Sequence, residues 1–180
     1  MRFGHEAVDP GDDGGDGCPV IPAHPLALEA AAEMATRYVD EHLVEGLVAE
    51  LEPGLGGDEL AERLGYAVAE QQLHPGVFAL RLGVLVLVAP MRDLILRRVV
   101  IAHEIAHGEL RAMNMHHAHG DVWALTLAML MPVASVRAHG RGVDLAAACA
   151  VPLWAALLRE KMPTICGISK ENEARPIRAY

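Results

Sequence analysis

The sequence predicts an α+β fold, mostly helical, with a small antiparallel β-sheet packed on one long helix. Three observations carry that expectation. The 180 residues suit one domain plus tails. The apolar load falls on Ala, Leu, Val and Met with only 4% aromatic residues, which favours helices over a β-sandwich. Strand-like segments gather in one stretch between Tyr66 and Val88, with helical periodicity on both sides.

Residues 1–25 read as a disordered leader, because Gly11-Asp12-Asp13-Gly14-Gly15-Asp16-Gly17 has nothing to bury and maximal backbone freedom. That run lacks the alternating acidic spacing of a calcium loop. From Leu26 to Leu51, Leu28, Ala32, Ala35, Val39, Leu43 and Leu47 recur at helical spacing until Glu52-Pro53-Gly54 stops them. Asp58 is placed to cap a short helix over Glu59–Leu64, ended by Gly65. Strands are expected at Tyr66–Leu73, Val77–Leu82 and Val84–Val88, separated by His74-Pro75-Gly76 and by Gly83.

A long helix follows from Asp93 to about Met113, then another over Asp121–Met131 that Pro132 ends. Val133–His139, Asp144–Cys149 and Pro152–Lys161 read as three short helices, the last with Pro152 in its first turn. The domain is thus expected over 26–162, with a C-terminal helical part at 133–162 and a tail at 163–180.

A net charge of -9 disfavours general binding to nucleic acid or to an anionic membrane surface. The most apolar stretch, Val122 to Val136, contains Pro132 and is shorter than the ~20 residues that span a bilayer. Cys18, Cys149 and Cys166 form no C-x-x-C pair, which fits a reducing compartment and excludes a cysteine zinc site. Acidic, Gly-rich sequence follows the first residues where a signal peptide would be apolar. The expected location is therefore cytoplasmic.

His103-Glu104-Ile105-Ala106-His107 is an H-E-x-x-H motif within the predicted long helix. On a helix, His103 and His107 lie one turn apart and face the same way, as two ligands of a tetrahedral Zn²⁺ must. Glu104 lies beside that stripe, placed to take a proton from a water that the metal activates. Shuffling a chain of this composition yields roughly 0.05 such motifs, so chance is a poor explanation.

A catalytic zinc keeps three protein ligands and one open position. The metzincin extension is excluded, since Leu110 stands where its glycine belongs. Downstream lie His116, His117, His119 and Asp121. Asp121 would also be well placed to cap the next helix, and spacing alone does not choose among the four.

Arg97-Arg98-Val99-Val100-Ile101-Ala102-His103-Glu104-Ile105-Ala106-His107 resembles the R-R-F-x-x-A-H-E-x-x-H segment of the ImmA/IrrE family of metallopeptidases. Leu130-Met131-Pro132 is similar to that family's L-M-P, and Asp58–Tyr66 to its L-A-E-x-L-G-I element. The stretch from Asp144 to Pro152 resembles a segment that opens a helix-turn-helix-like end, so the likeness runs in order over about 26–162. The resemblance implies a zinc peptidase that cuts a helix-turn-helix repressor, relieving repression of a mobile element or a stress regulon.

In the family a Glu before L-M-P is the third ligand. Counting back from Pro132 places that Glu on Asp121 and an earlier Glu on His119. The resemblance therefore implies Asp121 as third ligand, with His119 as the alternative.

Two further expectations follow. The strands from Val77 to Val88 could offer an edge to an extended peptide or could simply cover the active-site helix. The competing function is a degenerate, non-catalytic regulator that binds a partner protein or DNA through its C-terminal helices. Across 131–162, Arg137, Arg141, Arg159 and Lys161 exceed Asp144 and Glu160 by only two charges, a thin footprint for phosphate binding.

Overall fold

The computed structural model describes residues 25–33, 47, 51–112, 118–140 and 142–162. The leader, most of the segment between 34 and 50, His116, His117, Cys18, Cys166 and the tail at 163–180 lie outside the described residues.

Helix α1 spans Pro25–Glu33 and α2 spans Gly57–Arg63. Strands β1 (Ala67–Glu70), β2 (Ala79–Leu82) and β3 (Leu85–Val88) follow. Then come α3 (Leu94–Ala112), α4 (His119–Leu130), α5 (Val133–His139), α6 (Val143–Ala148) and α7 (Leu153–Lys161). The fold is α+β, as expected.

The sheet is mixed, which corrects the antiparallel expectation. Its order is β1-β3-β2, with β1 parallel and β2 antiparallel to β3. The reason lies in the side chains. Leu85-Val86-Leu87-Val88 is the most apolar strand, and Val86 and Val88 are fully buried, so β3 takes the centre. The strands that carry Glu70 and Arg81 are left at the edges, where charge is tolerated. Gly83, at φ +63°, turns β2 tightly back onto β3. The central strand and edge strand β2 both contact α3.

Helix α2 begins one residue before Asp58 rather than after it. A Cβ on Gly57 would lie 3.0 Å from Arg98 Cα, so glycine is what lets α2 pack against the backbone of α3. Asp58 leaves the capping role and accepts two hydrogen bonds from Arg97, at 2.8 and 3.3 Å. At the start of α3, Asp93 does act as a cap, accepting from the Leu96 N–H at 2.9 Å. Pro152 precedes α7 rather than opening it, and its carbonyl accepts from the Ala155 N–H.

Helix α4 is buried almost all round, from Val122 through Leu130, which is the signature of a core helix. It contacts α1, α3 and α7. Trp123, Ile101, Ile105, Leu125, Leu127 and Leu145 are among the largest fully buried side chains. Two buried arginines fasten the C-terminal helices to this core. Arg98 donates to the carbonyls of Cys149 and Ala150, and Arg159 Nε donates to the Met131 carbonyl at 3.0 Å. Peptide acceptors thereby replace part of the hydration that each guanidinium loses, while Arg98 Nε is buried without a hydrogen-bond partner. No single described helix is long and apolar enough to cross a membrane.

Candidate metal centre

Helices α3 and α4 build the site between them. On α3 the i, i+4 spacing puts His103 and His107 on one face, and their ring centroids lie 5.0 Å apart. On α4, His119 sits in the first turn and faces the same space, with its ring 5.0 Å from His103 and 5.3 Å from His107.

One ligand atom from each of the three imidazoles falls within 4.8 Å of the others. His103 Nε2 and His119 Nε2 are 2.9 Å apart. Ligands about 2.0–2.1 Å from a tetrahedral zinc stand about 3.4 Å from one another, so the donors bracket the spacing required. The three histidines lie close enough to hold a metal ion.

The donor chemistry fits as well. Burial, then the neighbouring His107 and His119, pull the His103 pKa down to about 3, so its ring is neutral at ordinary pH. Thr126 Oγ1 donates to the Val122 carbonyl at 2.7 Å, which leaves that oxygen as an acceptor 3.4 Å from His103 Nδ1. A proton held on Nδ1 leaves the Nε2 lone pair free to face the other imidazoles. Trp123 lies against the His103 ring at 4.2 Å between centroids and screens it from water.

Asp121, the residue favoured from the sequence as third ligand, is used differently. Its Oδ2 accepts from the Ala118 N–H at 2.8 Å and so caps the N-terminus of α4. His119 takes the place beside the α3 histidines. Positions 119 and 121 differ by about 200° around a helix, so they cannot face the same neighbour. His119, Trp123 and Thr126 share one face at i, i+4 and i+7. Trp123 and Thr126 were not singled out in the sequence, although that spacing relative to His119 was there to be read.

A cavity of about 280 Å³ opens over the histidines. Glu104 lines it together with His103, His107 and His119, and Val77, Phe78 and Ala79 form the opposite wall. Burial raises the Glu104 pKa above the usual carboxylate range, and Arg81 opposes that rise. Gly108 allows the close approach of Tyr66, whose hydroxyl donates to Glu109 Oε1 at 2.9 Å. Burial and that carboxylate push the Tyr66 pKa to about 12.

The arrangement can hold a divalent cation on three imidazole nitrogens, with a carboxylate beside it that is not needed as a ligand. That combination defines a candidate metal centre. No protein-family model matches the chain, and a search of curated proteins returns no match.

Proposed function

We propose that this chain is a zinc-dependent endopeptidase in which His103, His107 and His119 hold the metal and Glu104 is the general base. The observation that supports it is the convergence of three imidazoles and one carboxylate on a single cavity beside an edge strand. A bound zinc would supply a Lewis acid and a water of much lowered pKa.

The remaining chemistry belongs to the protein. Glu104 accepts the proton of the attacking water and returns it to the departing amine, and burial favours the protonated carboxyl that the second step needs. Trp123 and Phe78 keep the cavity apolar, which strengthens each charge interaction within it. β2 ends the sheet, so an extended peptide can add along its outer edge, with its carbonyls running past the histidines.

The resemblance to the ImmA/IrrE family supports a helix-turn-helix repressor as the substrate and a cytoplasmic role in transcription regulation of a stress response or mobile element. His119 then stands in for that family's carboxylate ligand. A DNA-reading role for the C-terminal helices has less support: Trp154 through Arg159 of α7 are buried, as suits a packing element.

Protein reconstituted with zinc is expected to hold about one ion per chain and to cut its substrate protein. Glu104→Gln keeps that stoichiometry and abolishes cleavage, because an amide cannot accept the proton. Elemental analysis that finds no divalent metal in the reconstituted wild type sinks the reading.

A further inference from the structure

Next to the metal cavity lies a second cavity of about 420 Å³, lined by Arg81, Glu104, His107 and Arg111. We propose that it is a subsite for a carboxylate of the peptide substrate, gripped by Arg81 and Arg111 and set beside the bond that is cut. This rests on the peptidase reading of the neighbouring histidines.

Both walls step from one cavity to the next in register. On β2, Ala79 and Arg81 lie on the same face of the pleat, the face that carries the buried Val86 and Val88 of β3. Ala79 walls the metal cavity, and Arg81 walls its neighbour about 7 Å further on. On α3, one turn beyond His107, Arg111 makes the same step of about 6 Å. Side chains two apart on an extended peptide are also spaced about 7 Å, so a peptide along β2 reaches both cavities at once.

The cationic groups point to an anionic occupant. Arg81 is held in place by its Nη1, which donates to the Gly83 carbonyl at 2.7 Å. Its Nε is buried with no hydrogen-bond partner. A buried guanidinium donor without an acceptor is costly unless a ligand or water completes it, and a carboxylate completes Arg best, through two parallel hydrogen bonds. Among the described residues, no carboxylate lies within ion-pair distance of Arg81 or Arg111.

Glu109, the other acid close by, accepts from Tyr66. Glu104 faces both cavities, and two guanidiniums outweigh its single charge. The carboxylate can come from an Asp or Glu side chain or from the C-terminus of the chain being cut. The protein chemistry is the same for both.

The test is a titration of the ¹⁵N-labelled full-length protein, read at the Arg Nε–H signals. N-acetylglutamate methylamide offers a side-chain carboxylate, N-acetylalanine a terminal one, and N-acetylglutamine methylamide neither. The glutamate or alanine probe should shift the Arg81 signal saturably and bind at least about tenfold tighter than the glutamine probe. Whichever of the two binds identifies the source of the carboxylate.

Arg111→Gln, at an exposed position, should reduce that preference several-fold while leaving zinc stoichiometry intact. Arg81→Lys keeps the charge but loses the two-pronged geometry, and should reduce it further. Equal binding of all three probes, or none at all, overturns the subsite. If peptides are then still cut, the peptidase reading stands without it. If the probes bind but no peptide is cut, the peptidase reading fails and the carboxylate site remains.

Discussion

Sequence and geometry part most sharply over Asp121 and His119, and two alanine substitutions separate them. His119→Ala removes one of three nitrogens that lie within 4.8 Å of one another. Loss of an outer-shell partner already weakens metal binding 10–100-fold, so loss of a direct ligand should weaken it by more than about 100-fold, or about 3 kcal/mol. Asp121→Ala removes the carboxylate that accepts from the Ala118 N–H at 2.8 Å.

Loss of such a cap costs about 1 kcal/mol, and loss of a negative charge from the first turn adds about 0.3–1 kcal/mol. In a domain of this size that lowers Tm by about 3–8 °C. Zinc affinity, measured by competition with a chromophoric chelator, should therefore collapse in His119→Ala and change little in Asp121→Ala. Thermal melts of the metal-free proteins should show the reverse order. Full zinc affinity in His119→Ala together with its loss in Asp121→Ala refutes the argument from helix geometry.

Three further predictions rest on single features. Gly108→Ala places a Cβ 3.1 Å from Tyr66 Cζ and should destabilise by about 1–3 kcal/mol in urea; a neutral effect would mean the ring is not fixed there. Ala150 holds φ at +47°, where an L side chain costs about 1–2 kcal/mol, so Ala150→Gly should raise Tm slightly and Ala150→Val should lower it. Equal effects would show that the local backbone relaxes.

The third concerns pH. Folded His103 stays neutral down to about pH 3, whereas in the unfolded chain it protonates near 6.5. The unfolded chain takes up its proton first as pH falls, so metal-free stability present above pH 6.5 is lost between pH 6.5 and 3, by up to about 5 kcal/mol. As pH falls over that range, the urea midpoint of chelator-stripped wild type should drop relative to that of His103→Gln. Parallel curves would contradict it.

The H-E-x-x-H motif was legible in the chain because it is local. Two histidines and a glutamate within five residues of one helix need no tertiary contact to share a face. The boundaries of α3 and the placing of three strands between Gly65 and Pro90 were likewise written in apolar spacing and in turn residues.

What the chain could not carry was any relation between segments far apart in sequence. Central placement of β3 depends on which strand can be buried on the core face, a competition settled only when the sheet assembles against α2 and α3. That His119 rather than Asp121 faces His103 and His107 depends on the rotation of α4 about its own axis. In the folded core that rotation turns His119 toward His103 and leaves Asp121 at the helix end, where it accepts from the Ala118 N–H. Local spacing sets which residues share a helix face. Only packing of the whole helix against its neighbours decides which face meets the α3 histidines.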